Sequence, residues 1–170
     1  MSNASRYWAH WRTTELAQAR SSGHLQQTVV VLPLGATEQH GPHLPLQVDS
    51  AIADAVVAAA VARLDASVSA LFLPTQYVGY SPEHAAFAGT LTLKAETVIR
   101  LWTDIAESVA ASGVQRLVLF NTHGGHVGLM DVVARDLRQR LGLMVYSVNW
   151  FNLPLQGPDG ADLQGLFDAR

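Results

Sequence analysis

The sequence has 170 residues, a length that suits one domain and argues against a multidomain assembly. Hydrophobic residues make up 49% of the chain, charged residues 15%, and the net charge is −3 with no basic stretch, so composition excludes widespread disorder and argues against nucleic-acid binding. Cysteine is absent, which excludes disulfides and thiolate metal sites, so any metal ion must be held by His, Asp or Glu.

Apolar, β-branched runs alternate with helix-like segments along the chain and predict an α/β fold with a mostly parallel sheet. No run approaches the roughly 18 residues that cross a bilayer, and the N-terminus lacks the layout of a signal peptide, so we expect a cytoplasmic protein without a membrane partner. The predicted strands are Thr28–Leu34, Val68–Pro74, Arg116–Asn121 and Leu143–Asn149. The predicted helices are Ser50–Leu64, Lys94–Ser112 and about Gly128–Leu141, with Gly113 and Gly142 as C-terminal caps of the last two.

The loop after the first predicted strand is rich in metal-binding side chains. Glu38 and His40 are two residues apart, so on an extended segment both would point the same way and address adjacent ions. Imidazole with carboxylate suits zinc, manganese or iron. Asp49 is a further candidate ligand, with the alternative that it caps the following helix. We expect His43 to orient the loop or a ligand by hydrogen bonding.

A second loop follows the predicted strand Arg116–Asn121 and carries another histidine. His123 precedes Gly124 and Gly125, a pattern that allows the backbone to approach a bound ion or substrate closely. The alternative is a glycine-rich turn with incidental histidines. Because parallel strands place their carboxyl ends at one edge, we expect this loop to meet the first one.

The third loop, residues 76–90, follows the second predicted strand. It contains the acid–base candidates Glu83 and His84 and the aromatic residues Tyr77, Tyr80 and Phe87. The aromatic side chains would serve equally well in packing. We expect this loop to form the wall of a substrate pocket.

Three phrases in this order, LPLGATEQHGPHLPLQVD, GYSPEHAAFAGTLTL and NTHGGH, resemble the creatininase (creatinine amidohydrolase) family over roughly residues 28–150. The resemblance implies a three-layer αβα sandwich, assembled as a homo-oligomer that is usually a hexamer. It also implies a hydrolase with a dinuclear divalent metal centre of Zn, Mn or Fe, which cleaves C–N bonds in small cyclic amides, linear amides or formamides.

The resemblance also implies roles for individual residues. Glu38 and His123 would bind one metal ion, His40 the other, and Asp49 would bridge both. The resemblance names no proton donor for the leaving nitrogen, and Glu83 and His84 are candidates only because they lie in the third loop. The positions of the loops, rather than the resemblance, suggest Tyr80, Gly124 and Gly125 as residues that line the substrate pocket.

Two departures from the family pattern qualify this expectation. Creatininase has a glutamate ligand where this chain has Gly125, and the His-Ala-Gly-Glu segment that supplies the carboxylate in other members does not occur here. His126 stands where asparagine is usual and is a further candidate ligand. We therefore expect residues 1–170 to form a single domain that corresponds to the first two-thirds of a typical member. The alternative is a truncated or degenerate, non-catalytic member that acts as an oligomeric scaffold or metal-binding subunit.

Overall fold

The architecture is a parallel sheet with helices on both of its faces. The structure is a computed structural model that describes residues 5–154, 156–157 and 161, and within them four strands form one sheet in the order β2-β1-β3-β4. The strands are β1 (Val29–Leu34), β2 (Ala70–Phe72), β3 (Arg116–Asn121) and β4 (Met144–Asn149). The α-helices are α1 (Thr13–Ser21), α2 (His24–Gln27), α3 (Val48–Arg63), α4 (Ala95–Ala111) and α5 (Val127–Leu141). None of these helices combines the length and the apolarity that a membrane span requires.

The predicted strands and helices are confirmed, with small shifts at their ends. Strand β2 is shorter than predicted. The Leu73 N–H still donates to the carbonyl of Val31 over 2.9 Å, but the next bond of the ladder would need an N–H at Pro33 of β1, and proline has none. Gly142 and Gly113 have positive φ values of 65° and 98° at the C-terminal ends of α5 and α4, as their assignment as caps requires. Helix α3 begins at Val48, so Asp49 lies in its first turn, and the interpretation of Asp49 as the N-cap is wrong.

Two short helices near the N-terminus were not predicted. Helix α1 has the sequence TTELAQARS, in which only Ala19 is buried, so it lacks the apolar periodicity by which a helix is recognised. At the other end, residues 151–170 show no sustained periodicity in the sequence, which predicts irregular structure. The part of that segment that the structure describes includes a 3-10 turn at Trp150–Asn152, while residues 155, 158–160 and 162–170 lie outside the described residues.

The larger core lies between one face of the sheet and helices α4 and α5. Helix α4 has a strongly one-sided apolar pattern, which directs Trp102 and its neighbours at helical spacing onto the sheet. Strand residues that point to this face, such as Leu32 and Leu119, are fully buried. Buried residues contributed by the two helices are Val98, Trp102, Ala106, Val109, Met130, Val133, Ala134 and Leu137.

Helix α3 covers only part of the opposite face. Val57 of α3 packs with Ala70 and Phe72 of β2. Strands β3 and β4 continue this face, and on β4 Met144 and Tyr146 remain 51% and 58% exposed. The sheet therefore has a half-covered second face, as expected for a parallel sheet with an open edge.

The carboxyl ends of the strands bring the three predicted loops together. The Thr122 N–H, just past β3, donates to the carbonyl of Leu34 at the end of β1 over 3.0 Å. The Thr122 hydroxyl also donates to the backbone carbonyl of Asp49 over 2.8 Å. Because these bonds join β1, β3 and the start of α3, the candidate ligands of the first two loops lie at one rim.

Candidate metal centre

The four side chains predicted as metal ligands converge at this rim. Asp49 Oδ2 lies 3.0 Å from His123 Nδ1, and Asp49 Oδ1 lies 3.2 Å from His40 Nε2. Glu38 Oε1 lies 3.2 Å from His123 Nδ1. One ligand atom from each of Glu38, His40 and Asp49 lies within 4.8 Å of the other two. Asp49 thus faces a different histidine with each of its oxygens.

The backbone of the first loop sets the orientation of His40. Its Nδ1 lies 3.1 Å from the carbonyl oxygen of Glu38, an acceptor, so Nδ1 carries the proton. In the neutral ring, Nε2 then presents a lone pair to Asp49 Oδ1, which is also an acceptor. Two acceptors that face each other at 3.2 Å require a cation or an additional proton between them.

Burial concentrates negative charge in the centre. Glu38 and Asp49 are only 5% and 6% exposed, and Glu38 Oε2 is buried without a hydrogen-bond partner among the described residues. Burial opposes ionisation of Glu38, but hydrogen bonds with His123 and Ser81 and the nearby charges of His123 and His84 together outweigh it, and the pKa of the carboxyl lies below its usual 4.5. Burial likewise lowers the pKa of His123, yet hydrogen bonds to Asp49 and Glu38 raise it to about 10. The buried carboxylates of Glu38 and Asp49 therefore need a positive charge beside them, which a proton on His123 supplies in the metal-free protein.

A divalent cation fits these donors. Zinc binds imidazole nitrogen and carboxylate oxygen at about 2.0–2.2 Å, so adjacent ligands of a tetrahedral site lie about 3.3 Å apart. The contacts of 3.0–3.2 Å among Glu38, Asp49 and His123 are close to that separation. The unpaired Glu38 Oε2 offers one more donor atom. The donor set, imidazole with carboxylate, also suits manganese or iron.

The third loop reaches the centre through His84. His84 Nε2 lies 3.8 Å from Glu38 Oε1, and its Nδ1 lies 2.9 Å from the side-chain nitrogen of Gln39. The Gly41 N–H donates to Gln39 Oε1, which fixes the amide so that its NH₂ group donates to His84. Neutral His84 therefore carries its proton on Nε2, toward Glu38.

The predicted pocket residues surround this centre in different ways. Glu83 is exposed, and its Oε1 lies 3.2 Å from the position that a Cβ at Gly125 would occupy. Gly124 has open space around it, whereas Gly125 lies against His123. The side chain of Tyr80 is half-buried and packs against the core. His43 is exposed, and its predicted orienting role stays a prediction.

Sequence reasoning missed the supports behind His123. Its Nε2 lies 2.8 Å from the carbonyl oxygen of Tyr80 and 3.3 Å from the hydroxyl of Ser81. Asn121 and His126 complete the surroundings of His123 and are both fully buried. The one available signal was their position at the end of a buried strand, where polar side chains need partners.

His126 does not face the cluster of carboxylates. Its Nδ1 lies 3.1 Å from Asn121 Oδ1, and its Nε2 lies 3.1 Å from the Tyr80 nitrogen. Burial, together with nearby His123, lowers the pKa of His126 to about 3, so its ring is neutral. Both nitrogens are occupied within the protein, which argues against His126 as a substitute ligand.

Comparison with known proteins places this geometry in context. The family model Creatininase, described as creatinine amidohydrolase, matches residues 9–165. The mycofactocin precursor peptide peptidase of Mycobacterium tuberculosis is 44% identical over 132 residues, which are 73% of this chain and 52% of that protein. This chain therefore spans about half the length of that relative.

Solved structures show the same likeness. A manganese creatininase superposes with a TM-score of 0.71 at 28% identity, over 88% of this chain and 60% of the other. A creatininase mutant of Zn-Zn type superposes with a TM-score of 0.72 at 28% identity, again over 88% and 60%. This likeness agrees with the αβα sandwich that the sequence predicts. Together with the family match over most of its length, it shows that the chain belongs to the creatininase family.

Proposed function

We propose that the protein is a metal-dependent amidohydrolase that cleaves a C–N bond at a dinuclear centre. The observation that carries the proposal is the convergence of Glu38, His40, Asp49 and His123 in one cluster that contains two buried carboxylates. Glu38 and His123 would hold one ion, His40 the other, and Asp49 would bridge them with its two oxygens. The ions would be zinc, manganese or iron, and structural neighbours of Zn-Zn and manganese type support the first two.

Bound divalent ions would supply a water of lowered pKa and polarise the carbonyl of the substrate amide. The protein's own side chains would position these ions and the substrate. Asp49 spans His40 and His123 and would fix the separation of the two positions. Gly124, with open space above its backbone, and Tyr80 would border the substrate. Cleavage of the amide also requires a proton for the leaving nitrogen.

We favour His84 over Glu83 as the proton donor, because its Nε2 faces the centre, 3.8 Å from Glu38 Oε1. A ring that carries a proton on both nitrogens can give up the Nε2 proton and end as neutral imidazole, so in the donating form Nδ1 would also be protonated and the Gln39 amide would turn its oxygen toward it. Replacing His84 by glutamine should lower kcat by about 10²- to 10⁴-fold, the usual contribution of a general acid. Metal content should be unchanged, because His84 would not be a ligand.

The matched control for that prediction is Glu83→Gln, in the same 3-10 turn, Pro82–His84. We expect it to keep kcat near that of the wild type. If Glu83→Gln abolishes turnover and His84→Gln does not, the proton donor is Glu83.

Metal stoichiometry tests the dinuclear proposal directly. We expect the wild-type protein to bind two equivalents of zinc in equilibrium dialysis and His40→Ala to bind one, because Glu38, Asp49 and His123 would still hold the other ion. His43→Ala, an exposed histidine in the same loop, should keep both equivalents. Equal stoichiometry in the wild type and in His40→Ala would contradict the assignment of His40.

The proposed substrate is a small amide, cyclic amide or formamide. A peptide amide is a second candidate, and the observation that favours it is the 44% identity to a mycofactocin precursor peptide peptidase. Both substrates contain the same scissile C–N bond, so the metal centre does not discriminate between them. Assaying the metal-loaded protein with cyclic amides, formamides and short peptides separates the two classes.

We further propose a single domain that acts in the cytoplasm as a homo-oligomer. The exposed Met144 and Tyr146 on the half-covered sheet face support subunit contacts, which light scattering would detect. The competing function is a non-catalytic scaffold or metal-binding subunit. It would be favoured if the protein oligomerises and binds metal but hydrolyses none of the amide classes above.

A further inference from the structure

His126 is a fully buried histidine that the proposed reaction does not use. It lies at the start of α5, three residues after His123, with 0% of its surface exposed. The Tyr80 N–H donates to Nε2 over 3.1 Å, so this nitrogen carries no proton. The proton is therefore on Nδ1, which donates to Asn121 Oδ1 over 3.1 Å.

The Asn121 amide is held in one orientation. Its nitrogen donates to the carbonyl of His123 over 2.7 Å and to Asn149 Oδ1 over 2.8 Å. Its oxygen accepts from the backbone N–H of His123 over 3.0 Å and from His126. All four hydrogen-bonding positions of the amide are used, so Asn121 cannot turn over without losing every one of them.

His126 and His123 hydrogen-bond to the two backbone groups of Tyr80. The N–H of Tyr80 donates to His126, and the carbonyl of Tyr80 accepts from His123 Nε2 over 2.8 Å. Because Nε2 of His123 donates there, its Nδ1 is the nitrogen that faces Glu38 and Asp49. The position of the Tyr80 backbone thus sets which nitrogen His123 offers.

Packing holds the His126 ring tightly in place. Its ring lies edge-on to Trp102, with centroids 4.8 Å apart, and edge-on to His123, with centroids 4.5 Å apart. A Cβ at Gly79 would lie 2.0 Å from His126 Nε2, so the ring fills the space that this glycine leaves. Any loss of the ring would free both Tyr80 and His123 to move.

We infer that His126 is a positioning residue for the metal centre, which links Asn121 to the Tyr80 backbone and so presents His123 Nδ1 to the bound cation. This inference rests on the proposed function, because it requires that His123 bind a metal ion. Groups that orient a metal-binding histidine through its second nitrogen typically change affinity by about 10- to 100-fold when they are removed.

The test is zinc titration of the metal-free protein and of three variants. His126→Phe keeps a ring but loses both hydrogen bonds, and we expect its zinc affinity to fall by about 10- to 100-fold. His126→Gln can accept from the Tyr80 N–H through its amide oxygen, and we expect it to recover most of that affinity. Leu137→Ala, a buried site of the same helix away from the network, should bind zinc like the wild type even though it loosens the core.

The inference is overturned if His126→Phe binds zinc as tightly as Leu137→Ala, or if His126→Gln recovers nothing. If His126→Phe does not fold, ¹⁵N spectra of the wild-type protein decide. They should show the ring proton of His126 on Nδ1 and, in the zinc-loaded protein, that of His123 on Nε2. A proton on the other nitrogen of either ring contradicts the inference. A wild-type protein that binds no zinc, manganese or iron defeats the proposed function as well, whereas failure of the variants alone defeats only the role of His126.

Discussion

Replacing Asp49 by alanine should weaken zinc binding by on the order of 10³-fold and reduce amide hydrolysis to background. The carboxylate is 6% exposed, and its oxygens contact His40 and His123. Loss of a partner that only orients a ligand typically lowers metal affinity by about 10- to 100-fold, and Asp49→Ala would remove the donor atoms themselves, so the loss should be larger. Zinc titration and an amidase assay on the same preparation measure both effects.

Asp54→Ala is the matched control for Asp49→Ala. Asp54 belongs to the same helix, but it is exposed and bonds to the hydroxyls of Thr75 and Tyr77 outside the centre. This variant should bind zinc with wild-type affinity. The proposed bridging role of Asp49 fails if the two variants bind zinc equally well.

A methyl group at Gly125 should be nearly as damaging as the loss of a ligand. The Cβ would lie 2.6 Å from His123 Nε2 and 2.6 Å from the carbonyl oxygen of Tyr80, where these two atoms are hydrogen-bonded over 2.8 Å. The ring of His123 or the loop must therefore move. We expect Gly125→Ala to lower zinc affinity by about 10- to 100-fold and turnover by about 10²-fold, because small displacements of catalytic groups are costly.

Gly128→Ala provides the comparison for Gly125→Ala. Gly128 lies in the first turn of α5, and a Cβ there would meet nothing within 4 Å. Alanine is also the better helix former, so zinc affinity and thermal stability should not fall. If Gly125→Ala matches Gly128→Ala in zinc titration, steric contact at His123 is not the reason for glycine at this position.

The regular part of the fold could be predicted because its physical causes are local. The spacing of apolar side chains in the sequence predicts both the β-branched strands of the sheet and the apolar face of α4. Helix α1 could not be predicted in this way because only one of its residues is buried. The end of β2 depends on Pro33 of the neighbouring strand β1, which lacks the N–H for the next bond of the ladder, so an assignment from the hydrophobicity of β2 alone extended the strand too far.

The candidate site, too, has one part that the sequence predicts and one part that it does not. The rule that parallel strands end at one edge predicts that the loops with Glu38 and His123 meet, and the resemblance assigned the roles of their side chains. The hydrogen bond between Tyr80 and His123 joins residues 43 positions apart and depends on the exact path of the third loop. The spacing of residues along the sequence therefore could not predict this hydrogen bond. For the same reason His126 was considered as a ligand rather than as part of a buried network.

Among the residues that the structure describes, β4 is an edge strand of the sheet, whereas the edge of β2 is partly occupied. The N-terminal segment already occupies the outer edge of β2, where the Phe72 N–H donates to the carbonyl of Arg6 over 2.8 Å. Within the described part of the chain, the backbone of β4 is therefore the edge at which a further strand could pair. Asn149 at the end of β4 receives a hydrogen bond from Asn121, beside His123. A strand aligned parallel to β4 would therefore place its carboxyl end beside Asn149, at the same rim as the candidate metal ligands, so the residues after such a strand could approach those ligands.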